Sequence, residues 1–364
     1  MAKRVFIFGA GASASMGTPV LRDFLDRANG LLESVSNPRI VKQDYITKDA
    51  FELVFDVVDR RLAALHGTTR YDAANLEEIF NLIEMGQLLE RFPQTDPKEL
   101  PRLGRAIRTM LAETVERTTK FPYDSISRQF GAPEDYGRLL SQCGKRDEEG
   151  EYAFITFNYD LGLEMAMHLY QVPYYYGLGA QQSGQIPVLK LHGSLNWAQC
   201  GGCHEILQES IPTLLRRPRN QASESDTSNT LRSLEVTREL GSDHACGKRP
   251  SRLDPLLVPP GWAKTQYHKT FKTIWARAAK EISEARDICI IGYSFPPADA
   301  FFHALMGLSL VGGARLRNFV VVDPVPDVRQ RFRDILGPHN ESRFVPIAGL
   351  FANFLNSDSV KEFK

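Results

Sequence analysis

Thr156-Phe157-Asn158-Tyr159-Asp160 follows the apolar residues Ala153, Phe154 and Ile155, so a buried strand would end on an amide and a carboxylate two positions apart. Such a pair can hold a polar ligand: the amide donates and accepts, and the carboxylate accepts or stabilises positive charge. A turn would use the same residue types, because Asn and Asp bond their own backbone. His192 closes a second apolar run, Val188 to Leu191, and is followed by Gly193. An imidazole can take a proton near neutral pH. A lone histidine there also suits a hydrogen-bonded structural role. Gly292-Tyr293-Ser294 closes a third run and Asp323-Pro324 a fourth, where a simple turn is the competing account. Gly9, Gly11 and Ala14 follow the run Val5 to Phe8 with G-x-G-x-x-A spacing. That spacing is an allowed form of the dinucleotide fingerprint, in which glycines let backbone approach a pyrophosphate at a helix N-terminus. A tight turn without ligand fits the same glycines, and the acidic ribose-binding partner expected about 20 positions on cannot be placed.

These residues need elements to carry them. Apolar runs predict strands over Val5 to Phe8, Ala153 to Phe157, Val188 to Leu191, Leu256 to Val258, Asp287 to Ile291, Phe319 to Val322 and Arg343 to Ile347. A helix is expected to open near Ser13 and run to about Leu32. Apolar residues recur at helical spacing from Phe51 to Leu62, Leu76 to Leu88, Leu103 to Val115 and Tyr136 to Leu140. Further helical stretches cover Gln266 to Ala285 and Ala298 to Leu310. The alternation implies an α/β fold, a Rossmann-type doubly wound parallel sheet, with an inserted helical module and a small module. In such a sheet Ser13, Asn158, Asp160, His192, Ser294 and Asp323 would line the edge where ligands bind. The expected organisation is an α/β domain over 1–48 and 151–350, a helical insertion over 49–150, and a small zinc-ribbon-like insertion over 198–255. The polar residues 217–245 read as a mobile surface segment, and 351–364 as a tail with no built-in sensor domain.

The chain has 364 residues, 43% of them hydrophobic and 24% charged, enough to bury a sizeable core. Lys and Arg total 44, as do Asp and Glu, so no global field draws the chain to nucleic acid or an anionic membrane. A local basic patch at Arg216, Arg217 and Arg219 remains open. No apolar run reaches the roughly 18 residues that span a bilayer, and Met1 to Phe8 lacks a signal-peptide pattern. The expectation is cytoplasmic, so the cysteines are not read as a disulfide framework. Cys143 and Cys289 are expected in the core. Cys200-x-x-Cys203 is half of a zinc site. Asp243-x-x-Cys246 has the spacing of a second pair with one cysteine replaced, and His244 and His204 are candidate fourth ligands. A Cys3His zinc site and a relic that binds no metal both remain open.

Taken in order, GAGASASMGTPVLRDF (Gly9 to Phe24), TFNYD (Thr156 to Asp160), LHGS (Leu191 to Ser194), GYS (Gly292 to Ser294) and VDP (Val322 to Pro324) resemble the sirtuin superfamily along nearly the whole chain. The resemblance implies an NAD-binding Rossmann-type domain with a smaller zinc-and-helix module. It implies that Gly9, Ala10, Gly11, Ala12 and Ser13 bind phosphates and ribose, and that Arg22 is the cofactor-loop arginine. Asn158 and Asp160 would sit beside the nicotinamide ribose, and His192 would be the catalytic histidine. Gly292, Tyr293, Ser294 and Asp323 would lie toward the diphosphate and adenosine. The chain departs from protein deacylases of the superfamily. No Phe-Gly-Glu stands where Leu256 to Trp262 falls, and Phe157 and Tyr159 flank Asn158 in place of Gln and Ile. These departures resemble the bacterial branch that hydrolyses NAD in antiphage defence. That branch implies NAD as substrate, a homo-oligomer, and in some members a HerA-like ATPase partner. A protein deacylase or ADP-ribosyltransferase is one alternative. A non-catalytic NAD or ADP-ribose sensor is the other.

Overall fold

The computed structural model describes residues 3–36, 46–65, 72, 75–143, 152–200, 203, 205–216, 231–237, 240, 255–258, 268–296, 299–311 and 315–363. The strands are β1 (Lys3–Phe8), β2 (Phe121–Asp124), β3 (Gln129–Phe130), β4 (Tyr152–Thr156), β5 (Tyr174–Tyr175), β6 (Ile186–Lys190), β7 (Gly193–Gln199), β8 (Ile206–Gln208), β9 (Leu231–Arg232), β10 (Pro255–Leu257), β11 (Ala285–Ile291), β12 (Asn318–Val322) and β13 (Phe344–Ile347). The α-helices are α1 (Phe24–Ser36), α2 (Lys48–Asp56), α3 (Leu76–Leu88), α4 (Leu100–Thr118), α5 (Glu134–Gln142), α6 (Gly162–Leu169), α7 (Ile211–Arg216), α8 (His268–Glu284), α9 (Ala300–Leu310), α10 (Pro326–Asp334) and α11 (Phe351–Leu355).

Two compact units make up the chain, one of residues 1–16, 130–193 and 267–364, the other of residues 17–129 and 194–266. The first is built on a seven-stranded sheet ordered β13-β12-β11-β1-β4-β6-β5, with neighbours paired in parallel. β1 lies in the middle. Val5, Phe6, Ile7 and Phe8 have no exposure, because a central parallel strand is covered on both faces and cannot alternate apolar with polar. From β1 the order steps to β4 and β6, then returns to β11, β12 and β13 on the other side. Right-handed crossovers in those two directions put helices on opposite faces, so the sheet is doubly wound. Phe8 meets Tyr136 of α5 and Phe351 of α11, while α8 packs along β1, β6 and β11.

Several expectations need correction. No α-helix opens near Ser13. Short 3-10 turns at Ala10–Ala12, Ala14–Met16 and Leu21–Asp23 carry the chain to α1 at Phe24. Gly17 at φ +82° and Pro19 break any earlier helix. Residues 351–363 are no loose tail: Phe354 and Phe363 are buried against Phe6. The apolar residues 256–258 do not join the parallel sheet, because β10 is the edge of a three-stranded sheet ordered β10-β7-β8.

That small sheet belongs to the second unit, as does a helical cluster. α4 lies against both α2 and α3 there, burying Phe51, Val54, Ile79, Phe80, Ile83, Ile107 and Met110. Part of the supposed mobile segment is also built in. Leu234, Val236 and Thr237 are buried, and the amides of Val236 and Thr237 donate to Oε2 of Glu116 on α4 at 3.1 and 2.7 Å. Among the described residues no helix is long and apolar enough to cross a membrane.

Candidate active site

The carboxyl ends of the parallel strands stay in step after the strands finish. Leu191 N–H donates to Thr156 O, Phe157 N–H to Phe8 O, Gly9 N–H to Ile291 O, Gly292 N–H to Val322 O and Asp323 N–H to Ile347 O, at 2.9 to 3.2 Å. This continued ladder brings Gly9, Asn158, His192, Gly292 and Asp323 to one edge. The strand order reverses between β1 and β11, and crevices at such reversals are where open α/β sheets bind ligands.

The glycines on either side of the reversal serve close packing of backbone on backbone. A Cβ on Gly9 would lie 2.4 Å from the Tyr293 Cα, and one on Gly11 2.8 Å from the Gly292 Cα. A Cβ on Gly292 would lie 2.3 Å from the Ala12 nitrogen, and its φ of +62° already favours glycine. Gly11 N–H donates to Gly292 O at 2.8 Å, Ala12 N–H to Gly9 O at 2.9 Å and Ser13 N–H to Ala10 O at 3.1 Å. These amides are therefore committed inside the protein, and the turn has no α-helix N-terminus behind it.

Asn158 stands beside this turn, 8% exposed. Its Nδ2 donates to Gly9 O at 2.9 Å and to Ser13 Oγ at 3.1 Å. Because the Gly9 carbonyl only accepts, the amide is oriented with Nδ2 inward, and Oδ1 is what Asn158 has left to offer a ligand. Ser13 Oγ also shares a 3.0 Å hydrogen bond with the Tyr136 hydroxyl. Burial, with the Asp160 charge adding to it, pushes the Tyr136 phenol well above its usual range, so it stays protonated.

Asp160 is buried, and its Oδ1 accepts the Gly162 amide at 2.8 Å, at the start of α6. Among the described residues its Oδ2 is buried with no hydrogen-bond partner, a costly arrangement for a carboxylate oxygen that suits a site for positive charge. Lys190 Nζ donates to the Asp160 carbonyl at 2.5 Å and to Glu164 Oε1 at 2.8 Å. His192 is 4% exposed, with its ring 5.0 Å from Phe157, edge to face, and 6.4 Å from Tyr159.

The residues expected toward diphosphate and adenosine lie on the same edge. Phe157 stacks on Tyr293 at 4.2 Å and 7°, and the Tyr293 hydroxyl donates to Asp299 Oδ2 at 2.6 Å. Tyr293 thus joins the β4 and β11 ends. Ser294 is exposed and its carbonyl accepts from Arg331 Nη2 at 2.7 Å. Asp323 is 7% exposed, with Oδ1 accepting the Val325 amide at 2.8 Å. Burial, the largest influence, pushes its carboxyl upward, against the Val325 amide and the charges of Arg329 and Arg331.

The remaining sequence candidates belong to the second unit or lie outside the described residues. Arg22 is exposed on the 3-10 turn Leu21–Asp23 of the second unit. Cys200 is buried at the end of β7 and Cys203 is exposed. His204, Asp243, His244 and Cys246 lie outside the described residues, as do Arg217, Arg219 and 259–262. Among the described residues no group of three potential metal ligands clusters. Cys289 is buried in β11 as expected, and burial raises its thiol well above the ordinary value.

Sequence reading missed Tyr136, Lys190 and Glu164. Lys190 had a signal, being a charged residue inside an apolar strand. Glu164 had a weaker one, one helical turn beyond Asp160. Tyr136 had none, because 123 residues separate it from Ser13.

No protein-family model matches the chain, and no curated protein matches it. Among solved structures it is similar to a Sir2 homologue in complex with ADP-ribose, at TM-score 0.39 and 14% identity over 99% of this chain and 91% of that one. It is similar to a Sir2 homologue–NAD complex at TM-score 0.39 and 14% identity, over 99% and 89%. It is also similar to Sir2Tm bound to a propionylated peptide, at TM-score 0.38 and 14% identity over 97% and 90%. The α/β class follows from the strand order and the parallel pairing of the seven-stranded sheet.

Proposed function

We propose that the chain is an enzyme that consumes NAD, hydrolysing the nicotinamide–ribose bond to give nicotinamide and ADP-ribose. The observation that carries this reading is the grouping at the sheet edge: Asn158 bonded to Gly9 and Ser13, beside a buried carboxylate oxygen of Asp160 that has no hydrogen-bond partner among the described residues. The ordered sirtuin-like motifs supply the identity of the ligand.

As the bond breaks, nicotinamide leaves as a neutral base and positive charge develops on the ribose. The Asp160 oxygen that has no hydrogen-bond partner among the described residues is suited to stabilise that charge, an interaction that strengthens in a water-poor site. Asn158 Oδ1 accepts from a ribose hydroxyl or from the attacking water, and cannot itself take the proton. The His192 imidazole accepts it as water adds to the ribose carbon. Tyr136, held neutral, fixes the Ser13 hydroxyl and through it the Asn158 amide. Gly292 to Ser294 and Asp323 would take the diphosphate and adenosine ends. Within this reading the chain serves in antiphage defence by depleting NAD in the cytoplasm, and assembles as a homo-oligomer or with a HerA-like ATPase. If Cys200, Cys203, Cys246 and His244 hold zinc, the metal is structural.

The test mixes the purified full chain with NAD and follows nicotinamide and ADP-ribose by chromatography. Wild type should release both without any peptide, and Asn158→Ala and His192→Ala should each fall by roughly 100-fold or more. Release only when an acyl-lysine peptide is added would replace hydrolysis by the deacylase reading. Full turnover in both variants would sink the assignment.

A further inference from the structure

Lys190 and Glu164 form an ion pair at 2.8 Å with both side chains 1% exposed. A buried pair of this kind gives little net stability, since desolvating two charges offsets their attraction. Its placement suggests another use. Lys190 ends β6, two residues before His192, and Glu164 is on α6, four residues after Asp160. The second partner of the ammonium is the Asp160 carbonyl, at 2.5 Å. One buried cation therefore ties the turn that carries Asn158 and Asp160 to the strand that carries His192.

We infer that Lys190 and Glu164 are positioning residues that hold the Asn158–Asp160 turn in register with His192. The inference rests on the proposed reaction for its catalytic consequence, but the hold itself is a statement about the turn. Two amides report on that turn directly. Asn158 N–H donates to Thr156 Oγ1 at 3.0 Å and Gly162 N–H to Asp160 Oδ1 at 2.8 Å. Their exchange with solvent can be read whether or not NAD is cleaved.

The experiment compares wild type with Lys190→Met/Glu164→Met and with Glu164→Gln. Met fills volume without charge and adapts to irregular space, so the double variant keeps an apolar core but loses the ammonium that donates to the Asp160 carbonyl. Expected for it is exchange at Asn158 and Gly162 at least about 10-fold faster, with the β1 and β11 amides unchanged. With an active enzyme, kcat should fall roughly 10- to 100-fold while KM stays within about 2-fold, the pattern of misplaced reacting groups. Glu164→Gln keeps an acceptor for the ammonium and should keep the protection. If the double variant does not fold, Glu164→Met against Glu164→Gln makes the same comparison. Wild-type protection and kcat in the double variant, or equal loss in Met and Gln variants, would overturn the inference. A wild type that never releases nicotinamide would count against the proposed reaction and leave the exchange comparison standing.

Discussion

Asn158 has both hydrogens of its amide directed into the protein, toward Gly9 O and Ser13 Oγ. The consequence is testable with an isosteric change. Asn158→Asp would place a carboxylate oxygen against the Gly9 carbonyl, where only a donor is tolerated. Asn158→Ala merely removes one of two donors to that carbonyl, which keeps the Ala12 amide, at the cost of one hydrogen bond, about 1 kcal/mol. Asn158→Asp is therefore expected to be the less stable of the two at neutral pH despite its better shape match, as read from urea midpoints. Greater stability for the Asp variant would mean the amide is oriented the other way. Asn158 and Asp160 were legible in sequence because polar residues closing an apolar run stand out. Which of their atoms remain available was not legible, since that depends on Gly9, Ser13 and Tyr136 arriving from distant parts of the chain.

At the scale of elements, the turns after β1 and β11 are interlocked through glycine. Gly292→Ala would put a methyl 2.3 Å from backbone at a φ of +62°. It is expected to destabilise by more than roughly 3 kcal/mol or to prevent folding. Gly30→Ala is the contrast: nothing lies within 4 Å of the added carbon, which falls inside α1. That change is expected to stabilise by about 0.5–1 kcal/mol, from lower unfolded-chain entropy and higher helix propensity. Thermal or urea unfolding of the two variants decides it, and similar behaviour would refute the close-packing account. The strands of the parallel sheet were readable because buried strands are short apolar runs. The helix expected at Ser13 was not found, because the G-x-G pattern there serves contact with the β11 turn before the chain leaves through Gly17 and Pro19.

At the scale of the molecule, the stability of the fold is coupled to pH at Asp323. Burial raises its carboxyl above the ordinary 3.8, so the group ionises less readily folded than unfolded. Its ionisation therefore removes stability as pH rises from the unfolded value through the folded one, and the loss is complete above the folded value. Asp323→Asn keeps an acceptor for the Val325 amide and cannot ionise. Its stability advantage over wild type should grow as pH rises above the ordinary 3.8 and level off once the folded carboxyl has ionised. A difference that is flat over that window, or shrinks with pH, would contradict the assignment. If the carboxylate also meets the adenosine ribose, the more stable variant binds NAD more weakly, a trade commonly seen at functional sites.

The sequence by itself determined the α/β class and the polar residues at the strand ends, because burial of a parallel sheet leaves continuous apolar runs and their termini are local events. Tertiary structure alone decided the division into two units that each draw on separated stretches of chain. It alone placed residues 351–363 in the core and turned Leu256 and Leu257 into a different sheet. It alone set the bonding of Asn158, the unpartnered oxygen of Asp160 and the Lys190–Glu164 tie. Each of these depends on contacts between residues far apart in sequence, and spacing along the chain carries no record of such contacts.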